Sequence, residues 1–256
     1  MVGVALLLAA VLAQDADREA EEAVARFARE MNAADAAQDD RVAAIRIVGK
    51  VKHKRVLEAL TPYLTADTVP QRIATVRALG CFDKVPGTLK ALTDAYVNEA
   101  NRTEQALAVR ISLVKVFGAM KAAPAVELVN RAIEDQSLWL VKAGCDAAAK
   151  IRHKSSVEPL LRQLYRIEGN EGNKMVDEKD PLADPLEDLK GMQKDVKGRA
   201  RKYGEPAAVP SDQTEREILR APLVGALKSI TRQGWATYGE WWRWWINARR
   251  RFEVPR

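Results

Sequence analysis

Apolar residues recur at helical spacing along most of this chain, in paired segments that Gly or Pro residues separate. Each pair predicts two helices joined by a turn. The predicted pairs are 41–49 with 56–64, 72–80 with 89–96, 109–118 with 126–133, and 140–150 with 157–164, followed by a further first helix at 218–228. This pattern predicts an all-α fold.

The first helices of the pairs end at regular intervals. Their closing residues are numbers 49, 80, 118, 150 and 228, which lie 31, 38, 32 and 78 residues apart. The three short intervals each match one helical hairpin, and the long one contains an insertion of roughly one and a half repeats. Because a hairpin of this size cannot bury its apolar stripe alone, neighbouring pairs are expected to stack. We therefore expect four repeats over 38–166, an insertion with one helix and flexible loops over 167–217, and a final repeat over 218–256.

The N-terminal segment has a different pattern. An uninterrupted apolar run at 4–13 is too short to span a bilayer, which takes about 20 residues, and the sequence turns polar at Gln14. Small residues up to Ala13 suit cleavage there, so we interpret 1–13 as a secretory signal peptide and expect an exported protein, periplasmic or secreted. The alternative is a buried first helix, because no Lys or Arg precedes the run. Residues 14–37 are expected to form an amphipathic helix that caps the repeats.

Two segments carry a resemblance to a known family. Two first helices share the sequence Arg-x-x-x-[Ile/Val]-Arg-x-[Val/Leu]-Gly, and the stretch Ile230–Trp245 near the C-terminus is rich in tryptophan. With these segments the chain resembles HEAT-repeat proteins of the kind that some bacteria export. The resemblance covers about 38–166 and 217–256, and it implies an α-solenoid of stacked antiparallel helix pairs. HEAT repeats are degenerate in sequence, so the resemblance implies a fold and no particular activity.

Composition narrows the possible functions. The chain has 256 residues, of which 47% are hydrophobic and 30% are charged, as in an ordinary folded protein. Its two cysteines alone build neither a disulfide framework nor a four-ligand zinc site, and its two histidines are 100 positions apart. No phosphate loop, nucleophile elbow or zinc-protease motif is present. We therefore expect no catalytic site, no cofactor and no metal. The alternative is an enzyme on a HEAT-like fold, such as a bilin lyase or a helical-repeat DNA glycosylase.

Basic residues cluster in the turns between first and second helices. The net charge is −6 over 14–40, +10 over 41–166 and +2 over 167–256. Stacked repeats would align the turns, and we call their cations the basic ridge. Its members are Lys50, Lys52, Lys54, Arg55, Lys84, Lys121, Lys150, Arg152, Lys154 and Arg232. One interpretation is that each cation stabilises a helix C-terminus by about 0.3–1 kcal/mol. The other is that together they steer an anionic partner.

The expected partner of this surface is a protein, or an acidic polymer or acidic protein face in the cell envelope. DNA is not expected, because no aromatic residues lie between the basic ones and because the predicted signal peptide directs the chain out of the cell. His53 and His153 occupy matching turns of the first and fourth repeats. We interpret both as turn residues in preference to metal ligands.

Two further surfaces are candidates for binding. The second helices would line a concave face with the charged residues Glu58, Lys90, Asp94, Glu127, Arg131, Glu158 and Arg162. Five of the six tryptophans lie within 235–245, and on one helix Trp241, Trp245 and Phe252 would share a face, which suits a helix that caps the last repeat. The alternative is an aromatic binding platform that includes Trp244.

The two cysteines are not expected to pair. Cys81 and Cys145 fall in first helices two repeats apart, which places them well beyond the roughly 7 Å between Cα atoms that a disulfide allows. We expect two buried free thiols.

Overall fold

The computed structural model describes residues 2–168 and 215–255, with the backbone alone for 2–13. Throughout these ranges the chain is helical and contains no strand, which confirms the predicted all-α class. The helices are α1 (Val2–Asn32), α2 (Gln38–Val48), α3 (Lys54–Leu60), α4 (Val69–Leu79), α5 (Thr88–Val97), α6 (Leu107–Ala119), α7 (Val126–Ile133), α8 (Leu138–Ile151), α9 (Val157–Glu168), α10 (Glu215–Thr231) and α11 (Tyr238–Ala248).

A helix is present at each of the positions predicted across 38–166. The first helices of the four pairs are α2, α4, α6 and α8, and the second helices are α3, α5, α7 and α9. Helix α10 extends the predicted helix at 218–228 at both ends. The helix expected in the 167–217 insertion lies outside the described residues.

Helix α1 joins the predicted signal peptide and the predicted amphipathic helix into one element. It runs through Ala13 without a break. Its amphipathic part buries Ala20, Phe27 and Met31, and the helix packs on α2 and α3. The ring of Phe27 meets the ring of Tyr63 edge to face, with 5.3 Å between centroids. Within the described ranges, no helix combines the length and the apolarity that crossing a membrane requires.

The chain divides into two compact units, Met1–Val116 and Phe117–Arg256. In the first unit, α1 packs on α2 and α3, α2 packs on α4, and α4 packs on α5. In the second unit, α8 packs on α7 and α10, while α9 packs on α7, α10 and α11. The predicted first helices α2 and α4 are therefore neighbours in the first unit, and α8 and α10 are neighbours in the second.

Three glycines explain how closely the first helices approach each other. A Cβ atom placed on Gly49 would lie 2.5 Å from the Cβ of Ala78 in α4, and one placed on Gly80 would lie 2.9 Å from a methyl group of Val116 in α6. In the second unit, a Cβ on Gly118 would lie 2.7 Å from the Cα of Ala147 in α8. The backbone at Gly49 and Gly80 is ordinary right-handed helix, so glycine is needed there for close approach and not for a turn. We call these three residues the closing glycines.

The end of α8 makes the equivalent contact with hydrogen bonds. Lys150 takes the glycine position in α8, and the neighbouring first helix α10 approaches through Ser229, whose Oγ donates to the carbonyl oxygen of Ala149 at 2.7 Å. The chain then turns through Arg152, which has a left-handed φ of 55°. Its Nε donates to the carbonyl oxygen of Ser229 at 3.0 Å, and its Nη2 donates to that of Pro255.

Replacing Gly49 with alanine is expected to destabilise the protein. The added methyl group needs space that the Cβ of Ala78 already occupies, and overpacking of this kind costs about 1–3 kcal/mol. Thermal and urea unfolding followed by circular dichroism measure the effect. The double variant Gly49→Ala/Ala78→Gly removes the opposing methyl group and should recover part of the loss.

Gly225 supplies the matched control for that substitution. It lies within α10, and a Cβ placed there meets no atom within 4 Å. Gly225→Ala should therefore stabilise the protein by about 0.5–1 kcal/mol, as expected for alanine in an open helix position. Equal unfolding midpoints for Gly49→Ala and Gly225→Ala would contradict the packing role of Gly49.

Candidate functional site

The basic ridge begins in the turn between α2 and α3. Lys50 and Lys52 are exposed there, and neither has an ion-pair partner among the described residues. Lys54 and Arg55 differ from them because both are paired. Lys54 Nζ lies 3.7 Å from Glu58 Oε1, and Arg55 bridges to α1 through the carboxylates of Asp17 and Glu21.

The two histidines cap helices. His53 Nδ1 accepts a hydrogen bond from the backbone N–H of Arg55 at 3.2 Å at the start of α3, while its Nε2 lies 3.2 Å from Asp17 Oδ1. His153 Nδ1 accepts from the backbone N–H of Ser155 at 3.3 Å, at the start of a short 3-10 turn before α9. Both side chains satisfy N–H groups that a helix start leaves unpaired. Their predicted role as turn residues is confirmed.

The later ridge residues have two kinds of environment. Lys84, Lys121 and Lys150 are exposed and have no ion-pair partner in the described parts of the chain. Lys154 is half-buried. Arg152 is also half-buried, and its guanidinium is occupied by the two carbonyl groups described above, so this ridge residue ties α8 to α10 and to the C-terminal segment.

Left-handed backbone recurs at the ridge. Lys121, Arg152 and Arg232 have φ angles of 49°, 55° and 62°, each just beyond the end of a first helix. Glycine usually occupies this position because a Cβ atom disfavours left-handed backbone by roughly 1–2 kcal/mol. Arg152 offsets that cost with its two hydrogen bonds. The side chain of Lys121 is exposed and makes no comparable hydrogen bonds within the described chain.

A groove between the C-terminal ends of α2 and α4 concentrates cations. We call it the α2–α4 groove, and its cavity volume is about 430 Å³. Small side chains form its floor, and no carboxylate of the described ranges lines it. Its lining residues are Arg46, Gly49, Lys50, Lys52, Ala74, Arg77, Ala78 and Cys81. Arg46 and Arg77 were not among the residues predicted to bind, although each lies three positions before a closing glycine, which is a signal that the sequence contains.

The charged residues predicted to line a concave face are all paired. Each second helix carries a cation and a carboxylate four positions apart on the same face. The pairs are Lys54–Glu58 at 3.7 Å, Lys90–Asp94 at 2.6 Å, Glu127–Arg131 at 3.6 Å and Glu158–Arg162 at 4.0 Å. Arg162 also reaches Glu134 at 2.7 Å, and Glu158 accepts a hydrogen bond from Trp245 Nε1 at 3.2 Å. These side chains therefore satisfy one another.

The C-terminal tryptophans form a packed cluster on α9. Trp241 and Trp245 are buried, as the predicted helix face requires, and α11 contacts α9. Trp241 Nε1 donates to the carbonyl oxygen of Trp235 at 3.1 Å. Trp244 is half-buried, with its ring centroid 5.5–6.1 Å from those of Trp241, Trp245 and Phe252. It belongs to the packed cluster and leaves only part of its ring to solvent.

Two carboxylates fix the start of α11. The buried Glu168 at the end of α9 accepts from Arg220 Nε at 2.8 Å and from the backbone N–H of Tyr238 at 3.0 Å. Glu240 accepts from the backbone N–H groups of Thr237 and Ala236 at 2.9 and 3.0 Å, in a capping box with the Thr237 hydroxyl. These hydrogen bonds favour the ionised form and hold the pKa of Glu240 below its usual value.

Both cysteines are free thiols, but the prediction that both are buried is wrong for Cys81. Cys145 is buried in α8, and burial, followed by the nearby Asp146, raises the pKa of its thiol to about 12. Cys81 follows the end of α4, where the helix has finished and the chain turns outward. Its side chain is therefore exposed at the edge of the α2–α4 groove.

No group of three or more His, Cys, Asp or Glu side chains in the described ranges is arranged to hold a metal ion. No protein-family model matches the chain, and no curated protein matches it.

Thiol reactivity is expected to separate the two cysteines. In the folded protein at neutral pH, an aromatic disulfide reagent should modify Cys81 rapidly and leave Cys145 unmodified, because Cys145 is buried and remains protonated. Denaturation without reductant should raise the count from one thiol to two. The variant Cys81→Ser should give no rapid reaction when folded, and rapid modification of that variant would contradict the assignment.

Glu240→Ala is expected to destabilise α11 in a pH-dependent way. The pKa of Glu240 is lower in the folded state than in the unfolded chain, so its contribution is fully present above the unfolded value, about 4.3. The contribution is then lost as the pH falls through the lowered folded value. Urea unfolding followed by tryptophan fluorescence should show a gap between wild type and variant at neutral pH that shrinks as the pH falls through the lowered pKa of Glu240. The exposed Glu253→Ala is the control, and a gap for Glu240→Ala that stays constant with pH would contradict the capping role.

Proposed function

We propose that this protein is an exported, non-enzymatic scaffold of the HEAT-repeat type that captures an anionic partner through its basic ridge. The observation that carries the proposal is the contrast between two sets of charges. Lys50, Lys52, Lys84, Lys121 and Lys150 are exposed and lack an ion-pair partner in the described chain, whereas the charges of the second helices are paired.

The packing within each unit supports a repeat architecture of the HEAT type. First helices of consecutive repeats are neighbours, as α2 is to α4 in one unit and α8 is to α10 in the other, and the second helices α7 and α9 also meet. An α-solenoid with α11 as its terminal cap is part of the proposal. The buried aromatic face of α11 on α9 supports the capping role.

The proposed export rests on the sequence. The apolar run at 4–13 ends in small residues and is followed by a polar segment, as in a secretory signal peptide. In an extracytoplasmic compartment the anionic partner would be a protein with an acidic face or an acidic polymer of the cell envelope.

The charges favour the ridge over the second-helix face as the binding surface. An anion that met the second helices would compete with the carboxylate of an existing pair such as Lys90–Asp94 at 2.6 Å, an exposed pair that contributes about 0.3–0.5 kcal/mol. A partner that met Lys50 or Lys52 would break no such pair. Lys121 supports the same conclusion. It has left-handed backbone, which glycine would adopt with less strain, yet the residue at this position is a lysine.

Reversing two ridge charges is expected to weaken capture of polyanions. Wild type should be retained on heparin and on polyglutamate at about 0.1 M salt and released at about 1 M, where the Debye length falls from about 10 Å to 3 Å. Lys50→Glu/Lys52→Glu should elute earlier, and surface plasmon resonance should show a slower association with little change in dissociation.

A charge-matched control separates the ridge from net charge. Lys142→Glu/Lys228→Glu makes the same charge change at two exposed positions of α8 and α10 that are not ridge residues. Unfolding midpoints of both double variants are compared with wild type, because Lys142 Nζ lies 5.8 Å from the centroid of the Trp139 ring and its replacement removes a contact of about 0.5–1 kcal/mol. Equal retention of the two double variants at low salt would contradict a specific role for the ridge.

A further inference from the structure

The α2–α4 groove is a concentration of uncompensated positive charge within one compact unit. Arg46 and Lys50 come from the end of α2 and the turn beyond it, Lys52 follows in that turn, and Arg77 comes from the last turn of α4. All four are exposed, and none has an ion-pair partner among the residues that the structure describes. The four cations surround one cavity of about 430 Å³.

Stabilisation of helix C-termini does not account for this arrangement. One cation in the last turn compensates a helix dipole, and Arg46 and Arg77 already provide one for each helix. The two lysines add like charge to the same space, which costs repulsion. Helix α6 has its own cation in the same register, since Lys115 lies three positions before Gly118, so what distinguishes the α2–α4 groove is the two added lysines. The excess in the α2–α4 groove therefore points to an anionic ligand.

The floor of the groove indicates which anion fits. Gly49, Ala74 and Ala78 form a shallow apolar surface beneath the cationic rim. A polyphosphate has charge for the rim but no apolar surface for the floor. A glutamate side chain has both, because two methylene groups precede its carboxylate. Guanidinium groups also pair with carboxylates through two parallel hydrogen bonds.

We propose that the α2–α4 groove binds a glutamate-rich segment of a partner protein, with Arg46 and Arg77 as the principal carboxylate-binding residues and Gly49, Ala74 and Ala78 as the floor. The proposal rests on the proposed function and specifies its ligand. It adds Arg46 and Arg77, which are not ridge residues. Cys81 lies at the edge of the groove. Because the other cysteine is buried, the reactivity of the Cys81 thiol reports whether the groove is occupied.

The experiment uses the full chain and a fluorescein-labelled peptide of twelve or so glutamates, followed by fluorescence anisotropy at low salt. We expect Arg46→Gln/Arg77→Gln to weaken peptide binding by about tenfold or more, as for the loss of charge-assisted hydrogen bonds. The control Lys142→Gln/Lys228→Gln removes the same charge elsewhere and should stay within about twofold. Circular dichroism confirms that each variant is folded.

Cys81 reactivity provides a second measurement that needs no variant. Bound peptide should slow alkylation of Cys81 by iodoacetamide, which is uncharged, and prior capping of Cys81 with N-ethylmaleimide should lower peptide affinity. Inorganic polyphosphate is tested in parallel. The proposal is supported if the glutamate peptide slows alkylation of Cys81 more than polyphosphate does at the same concentration.

Three results would overturn the inference, and they differ in what they say about the proposed function. Equal peptide affinity for wild type and Arg46→Gln/Arg77→Gln without protection of Cys81 would place the peptide elsewhere and leave the basic-ridge proposal standing. Stronger protection by polyphosphate than by the peptide would reject glutamate as the ligand chemistry. Failure of wild type to bind any of the polyanions would reject both proposals.

Discussion

The close approach of neighbouring first helices is the constraint on which the other features depend. At Gly49, Gly80 and Gly118 the next first helix lies where a side chain would otherwise be. This contact sets how near the ends of consecutive first helices come. In the first unit it brings the end of α2 beside the end of α4, and so gathers the cations of both helices around one groove. The positive surface is thus a consequence of helix packing as well as of composition.

The fourth repeat shows that hydrogen bonds can replace the glycine contact. Lys150 stands at the glycine position, and Ser229 and Arg152 join α8 to α10 instead. The presence of Lys150 in place of glycine has a consequence for the basic ridge. The guanidinium of Arg152 donates its hydrogen bonds within the protein and is therefore not available to a partner. Glu168 has a comparable role at the other end of α9, where it ties α10 and α11 to the same helix.

Sequence periodicity predicted the helices well because apolar spacing reports directly on which face of a helix is buried. It placed α2 to α9 as four pairs and identified Trp241 and Trp245 as the buried face of α11. Periodicity contains no information on which side chains of different helices meet. For this reason it did not find the α2–α4 groove, and it did not show that Gly49, which lies in the turn after α2, also packs against Ala78. Cys81 was expected to be buried because its segment was taken as helix, whereas α4 ends at Leu79.

The paired charges of the second helices have a consequence for selectivity. A surface whose positive and negative groups already neutralise each other presents little net field, so it neither attracts nor repels a ligand from a distance. The turn after α2, where Lys50 and Lys52 have no ion-pair partner among the described residues, is then one part of that unit's surface from which long-range attraction arises. Discrimination among ligands would therefore begin before contact, because the unpaired cations attract an anion from a distance and the neutral second helices do not.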